Sequence, residues 1–354
     1  MLYHLSLYLK QYYSFLNVFH YISVRAMCAL LTSSVLALCF GDRCIAFAQG
    51  HFASKPREHV PQTHQVKHNK PTMGGIFILG NIFVSLLLWG NLQSINLWLC
   101  LLTLGLFGLI GLVDDWYKLK YRRGISSKQK FSCQLISALV VVLAWVWLQK
   151  PSTELIAPFF KNLHPDLGWF FVFWAVFVLI ACSNAVNLTD GLDGLATTSL
   201  ITNFGVFSLI AYAAGHAKIA AYLQIPFVGS SELTILGGAL LGSSLGFLWY
   251  NAYPAQIFMG DVGSISLGAV LGLMALMTKQ ELLFVISGGL FVLETVSVIL
   301  QVLSFKYRGK RIFKMAPIHH HFELIGWPES KITIRFAIIS IILGLLALMT
   351  LKIR

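Results

Sequence analysis

Five aspartates fall in three short segments where long apolar stretches begin or end, and carboxylates so placed are suited to holding a cation. The first segment, Gly111-Leu-Val-Asp114-Asp115-Trp-Tyr-Lys118, carries two of them side by side. Adjacent side chains on a helix point about 100° apart. One carboxylate can therefore meet a metal or a phosphate while the other takes a second partner, and two charges this close require a cation. The second segment, Asn187-Leu-Thr189-Asp190-Gly191-Leu-Asp193-Gly194, repeats a polar side chain every third residue. That spacing stacks Asn187, Asp190 and Asp193 on one helical face, and Gly191 and Gly194 permit close approach of backbone or ligand. The third runs from Asn251 to Ser264 and sets Asp261 between Gly260 and Gly263. An Asp there either caps a helix or ligates a hard ion such as Mg²⁺, which takes a few carboxylates together with phosphate oxygens. Such a set supports phosphoryl chemistry, where charge neutralisation and alignment matter more than covalent help.

Two further segments supply donors. Lys67-His-Asn-Lys70-Pro71-Thr72-Met73-Gly74-Gly75 leads into an apolar run, where Lys and backbone N–H groups at a helix start hold an anion or simply anchor the chain. Met315-Ala-Pro-Ile-His319-His320-His321-Phe-Glu323 places three His in a row. Consecutive His cannot all face one ion on regular structure, so hydrogen bonds to phosphate or sugar are expected rather than zinc. An EF-hand is excluded because its acidic spacing and closing Glu are missing. A prenyl-synthase motif would need a third Asp where Lys118 stands.

The elements that must carry these residues are membrane helices. Of 354 residues, 57% are apolar and only 11% charged, under half the usual charge of a soluble domain, and mean hydropathy is +0.74. A soluble enzyme, a disordered tail and a disulfide-stapled module are thereby excluded. The six Cys lack any C-x-x-C pair and read as small buried hydrophobes. Apolar stretches of spanning length occupy about 24–48, 74–92, 95–113, 133–149, 169–187, 195–215, 233–250, 262–278, 282–304 and 334–351. Helices are required because hydrocarbon offers no partner to a bare backbone. The fold class expected is all-α, a single polytopic unit over 1–354 with ten transmembrane helices. Residues 1–23, rich in Tyr, suit the headgroup region. Connections after odd-numbered spans hold sixteen Lys and Arg and those after even-numbered spans four. The positive-inside rule then puts the odd connections in the cytoplasm and both termini in the periplasm. Those connections fall at about 49–73, 114–132, 188–194, 251–261 and 305–333. All three Asp segments lie on that face, although no acidic residue entered the count. The net charge of +12 reflects this topology and anionic lipid, not nucleic acid. A transporter would place its polar residues near the midplane, and a scaffold would need no ordered Asp clusters. Gly238, Gly242 and Gly246, like Gly268 and Gly272, form the four-residue spacing that lets membrane helices touch. Glu294, inside the ninth span, acquires no role.

Taken in order, Pro71 to Gly75, Val113 to Asp115, Asn184 to Ala196, Asn251 to Ser264 and Met315 to Glu323 closely resemble the bacterial phospho-N-acetylmuramoyl-pentapeptide transferases. These form a branch of the polyprenyl-phosphate N-acetylhexosamine-1-phosphate transferase superfamily, and the PTMGG and triple-His segments favour this branch. The resemblance implies transfer of phospho-MurNAc-pentapeptide from UDP-MurNAc-pentapeptide to undecaprenyl phosphate at the cytoplasmic face of the inner membrane, giving lipid I and UMP in peptidoglycan synthesis. It implies Mg²⁺ on Asp261, Asp114 and Asp115 on the lipid-phosphate side with Asp114 as base, and Asn187, Asp190 and Asp193 near the nucleotide. Lys67, Thr72, Lys118, Lys130, Asn251, Gln301, His319 and His320 would line the rest of the cleft, and a homodimer is implied. The lipid phosphate would attack the β-phosphorus directly, the rival being a two-step route through Asp114. Asn69-Lys70 stands where the family pattern has Gly-Thr, which leaves open whether Lys67 or Lys70 meets phosphate.

Overall fold

The computed structural model describes residues 1–51, 70–160, 163–229 and 231–353. Fourteen α-helices carry the described chain. They are α1 (Leu2–Leu9), α2 (Ile22–His51), α3 (Gly74–Trp89), α4 (Ile95–Tyr121), α5 (Ser127–Gln149), α6 (Phe171–Thr189) and α7 (Leu195–Ala214), followed by α8 (Ala217–Leu223), α9 (Glu232–Asn251), α10 (Gly260–Met277), α11 (Glu281–Ser287), α12 (Gly289–Arg308), α13 (Ile318–Leu324) and α14 (Glu329–Thr350). Among the described residues there is no β-strand, only an isolated bridge between Glu154 and Asp166.

Among the described residues nine helices are long and apolar enough to cross a membrane: α2, α4, α5, α6, α7, α9, α10, α12 and α14. The chain is an all-helical, multi-pass membrane protein. The remaining expected span is α3, apolar but only 16 residues long, or about 24 Å at 1.5 Å per residue. The stretch expected as one span over 282–304 divides at Gly288 into α11 and α12. There a Cβ on Gly288 would run into the Phe284 ring and carbonyl.

The core is built around α10, where every residue from Val262 to Met277 is buried. Small residues let its neighbours in. Gly75 of α3 lies against the Gly263 backbone, Gly111 of α4 against the Asp261 carbonyl, and Gly268 against Cys182 and Ser183 of α6. The Ser183 hydroxyl donates to the Ile265 carbonyl at 2.9 Å, a bond of the kind that holds membrane helices where no hydrophobic drive remains between them. The Gly238, Gly242 and Gly246 stripe of α9 packs on Ala26, Leu30, Ser34 and Ala37 of α2, so it serves contact within the chain.

At the end of the bundle away from the Asp segments, Arg25 of α2 is buried. It donates through Nη1 and Nη2 to both oxygens of Glu232 at 2.8 Å and through Nε to the Trp89 carbonyl at 2.9 Å, and its guanidinium stacks 3.6 Å from the Tyr3 ring centroid. The paired fork satisfies a charge that would otherwise be expensive at this depth, and it joins α2, α3 and α9.

A Cβ at Gly242 would overlap the Leu30 carbonyl and the Ser33 hydroxyl, whereas nothing lies within 4 Å of one at Gly80. Gly242→Ala is therefore expected to cost about 1–3 kcal/mol by overpacking, and Gly80→Ala no more than about 0.5 kcal/mol. Thermal unfolding in one detergent checks the pair; equal melting temperatures would refute the packing assignment.

Candidate functional site

Four helix ends meet where the chain brings its carboxylates together. α4 runs past the apolar stretch that ends at 113 to Tyr121 and keeps Asp114 and Asp115 in regular helix, as their separation of about 100° requires. Lys118 follows one turn later on the same face, the i,i+4 geometry that pairs opposite charges. Ser126 caps the start of α5, its hydroxyl accepting the Gln129 N–H in a capping box, and this fixes Lys130 in the first turn. α6 delivers Asn187 just before it ends at Thr189. α10 opens with Gly260 at φ +71°, where Asp115 Oδ2 would crowd any Cβ at 2.5 Å, and Asp261 follows.

Carboxylate oxygens of Asp114, Asp115 and Asp261 all lie within 4.8 Å of one another. The Lys118 ammonium sits among them, 2.8 Å from Asp114 Oδ2, 3.2 Å from Asp115 Oδ1 and 2.8 Å from Asp261 Oδ1. Lys130 reaches Asp261 Oδ2 at 2.5 Å and Asp114 Oδ2 at 3.5 Å. Asn187 Nδ2 donates to Asp261 Oδ1 at 3.2 Å and to Ser264 Oγ at 2.9 Å. The backbone N–H of Val262 donates to Asp115 Oδ2 at 3.3 Å and that of Ile125 to Asp114 Oδ1 at 2.8 Å. An ammonium held by three carboxylates marks a seat for positive charge. The donors are all oxygen, the set preferred by hard divalent ions, so the residues present fit a metal of the Mg²⁺ class.

The seat opens into a cavity of about 300 Å³ lined by Asp115, Lys118, Asp261, Asn187, Asp190 and Thr72, with Gly191, Leu192, Asn251, Phe258 and Gly260 completing the wall. Thr72 arrives through backbone pairing: Phe258 N–H donates to the Pro71 carbonyl at 2.9 Å, Gly74 N–H to Phe258 at 2.9 Å and Gly75 N–H to Met259 at 2.8 Å. Asn251 is clamped by the Thr197 hydroxyl at 2.7 Å and the Ile257 carbonyl at 2.9 Å. The helical stacking expected for Asn187, Asp190 and Asp193 gives way to a turn, because α6 ends at Thr189 and Gly194 takes φ +76°. Asp190 consequently faces the cavity. Asp193 turns into the protein, where it accepts the Ala255 N–H at 2.9 Å and lies 3.9 Å from Lys70.

Five other expected residues stand away from the lining, one of them Lys130, which reaches the seat through Asp261 and Asp114. His319, on the short helix α13, is wholly buried and packs on Gly191, and His320 lies 2.6 Å from Glu323. Gln301 accepts the Ile312 and Phe313 N–H groups at 3.0 Å and lines a second groove of about 530 Å³ with Val298, Phe305, Lys306 and Arg311. Asp114 sits behind Lys118, just outside the cavity. Lys67 lies outside the described residues. Sequence reading missed Ser264, although it closes the motif that holds Asp261. It also missed the Gln134–Asn184 amide pair (2.9 Å), which joins α5 to α6 below Lys130; an isolated Gln in an apolar run gives no signal of its partner.

Residues 97–279, just over half of the chain, match the family model for glycosyl transferase family 4, and the protein belongs to that family. The matched stretch contains Asp114, Asp115, Lys118, Lys130, Asn187, Asp190 and Asp261. The family is that of the polyprenyl-phosphate hexosamine-1-phosphate transferases. The protein is thus a membrane glycosyl-1-phosphate transferase that takes a phospho-sugar from a nucleotide sugar to a polyprenyl phosphate.

Burial, and then the neighbouring Asp261 and Asp115 carboxylates, push the Asp190 carboxyl up to about 7 from its ordinary 3.8. Between those values the native state holds a proton that the unfolded chain has lost, so this group's contribution to stability falls as pH rises through that window. A divalent cation in the cavity acts the other way and expels the proton. Mn²⁺ or Mg²⁺ binding at about pH 6.5 is therefore expected to release protons, and affinity to weaken as pH falls below about 7. Calorimetry in buffers of different ionisation enthalpy counts the protons. Asp190→Asn should remove most of the release, and an unchanged count would defeat the assignment.

Proposed function

We propose that the nucleotide sugar is UDP-MurNAc-pentapeptide, the acceptor undecaprenyl phosphate and the products lipid I and UMP, with Mg²⁺ as the ion. One observation carries this reading. The Met315 to Glu323 segment, which separates this branch from related transferases, leads into α13 and packs its His319 against Gly191 of the cavity wall. The segment that marks the branch therefore abuts the cavity that receives the substrate.

Mg²⁺ held by Asp261 with Asp115 would neutralise pyrophosphate charge during departure of UMP. The protein's own groups do the remainder. With Mg²⁺ on Asp115 and Asp261, Lys118, still held by Asp114, and Lys130 would be free to meet phosphate oxygens and so supply the charge stabilisation that phosphoryl transfer needs. An oxygen of the lipid phosphate attacks the β-phosphorus, the bond from that phosphorus to the α-phosphate oxygen breaks, and UMP leaves. Asp114 supports direct attack over a covalent route. Its Oδ1 accepts a backbone N–H, its Oδ2 is held by Lys118 at 2.8 Å, and it does not line the cavity. Asp114 then serves to hold Lys118 in place. Asn187, Asp190 and Asn251 form the nucleotide side, and Thr72 stands beside Gly260 at the pyrophosphate.

The excess of Lys and Arg on connections at the site's end of the bundle supports a cytoplasmic active site in a bacterial inner membrane. A homodimer belongs to the same reading. It would use faces other than the Gly238–Gly246 stripe, which α2 covers.

Purified protein with UDP-MurNAc-pentapeptide, undecaprenyl phosphate and Mg²⁺ is expected to release UMP and form a lipid-linked product, and UDP-N-acetylglucosamine is expected to be a poor donor. Asp261→Asn and Asp115→Asn should each lower turnover at least about 100-fold without loss of the folded state. Near-normal turnover in both, or preference for the smaller donor, would reject the reading.

A further inference from the structure

Glu294 is a buried acidic side chain that the mechanism leaves unused, and its surroundings give it a task. It lies on α12, within a candidate span, and none of its surface is exposed. A carboxylate at that depth is too expensive to be kept without a partner. Its Oε2 sits at ion-pair distance, 3.1 Å, from His319 Nδ1 and 3.5 Å from the His319 backbone nitrogen. His319 is equally buried. On its far side the ring presses on Gly191: a Cβ there would overlap Nε2 and come within 2.9 Å of Cε1. Gly191 lines the cavity between Asp190 and Leu192, and His319 does not. Contact therefore runs without a gap from Glu294 through His319 to the wall of the nucleotide side.

We infer that Glu294 is a positioning residue: it fixes the His319 ring against Gly191 and so sets the Asp190–Leu192 wall that receives the nucleotide sugar. This rests on the transferase reading above. The lipid-phosphate side, at Asp115 and Lys118, is held by a separate set of bonds and is untouched by the pair. Loss of Glu294 should then be felt by one substrate and not the other. Gly191 is required because the ring occupies the place of its side chain.

The test compares Glu294→Ala, Glu294→Gln and Gly191→Ala in the full-length protein. Glu294→Ala is expected to raise KM for UDP-MurNAc-pentapeptide about tenfold or more, with kcat and KM for undecaprenyl phosphate within about twofold. Glu294→Gln, which keeps an oxygen at the same reach, should recover most of the loss. Gly191→Ala, which displaces the ring while Glu294 is intact, should raise the same KM, and the double variant with Glu294→Ala should be clearly less than additive. If Glu294→Ala does not fold, Gly191→Ala and Glu294→Gln make the comparison by themselves. Hydrogen exchange followed by mass spectrometry supplies a readout independent of turnover: peptides over 187–195 should exchange faster in Glu294→Ala and stay near wild type in Glu294→Gln. Equal changes in both KM values, no rescue by Gln, or unaltered exchange over 187–195 would each overturn the inference. Wild-type protein that releases no UMP would instead refute the substrate reading, and the exchange result then decides the role of Glu294 alone.

Discussion

Crowding of like charge at the edge of a membrane bundle is the condition that the rest of the structure answers. Asp114, Asp115 and Asp261 bring three carboxylates within 4.8 Å of one another, and Asp190 stands near enough to feel two of them. Such a group survives only if cations and N–H donors meet it, since a buried charge without a partner costs several kcal/mol. Lys118 and Lys130 do so from two different helices, and the backbone N–H groups of Ile125 and Val262 satisfy the remaining oxygens. The close contacts of Gly75 and Gly111 with α10 follow from the same need. Without them Asp261 could not stand level with the α4 carboxylates.

Much of this was legible in the sequence, and the parts that were not share a physical reason. Hydropathy located the spans because the length of a membrane helix is fixed by the hydrocarbon. The convergence of Asp114, Asp190 and Asp261 on one face followed from counting Lys and Arg alone. Hydropathy reports solvent, however, and not backbone conformation. It therefore marked the end of an apolar span at 113 without saying how far the helix runs on, which is to Tyr121, and it joined α11 to α12 across Gly288. The three-residue spacing of Asn187, Asp190 and Asp193 suggested a helical face, but two glycines in five residues favour a turn. Periodicity gives the face of a residue and never its partner across the fold. For that reason Glu294 remained without a role until His319 was seen beside it, and Gln134 passed unnoticed.

The two ends of the bundle solve the problem of membrane charge in opposite ways. Arg25 and Glu232 meet as one donor fork and one carboxylate, with the Trp89 carbonyl and the Tyr3 ring closing the remaining sides. That arrangement is neutral and complete, and it stabilises by being left alone. At the other end three carboxylates share two ammonium groups, so the balance stays negative and an added cation is welcome. The same chemical types thus make a fastening at one end and a seat open to a cation at the other, and the ratio of signs decides which.

The backbone bonds between Pro71–Gly75 and Phe258–Met259 also dictate when the protein can first become competent during its synthesis. The earlier strip leaves the ribosome long before the later one exists, and α13 follows later still. A nascent chain halted anywhere before α10 has inserted has its first Lys and Asp groups in the bilayer but no mouth to receive a nucleotide. The cavity is thus completed only in the last stage of biogenesis.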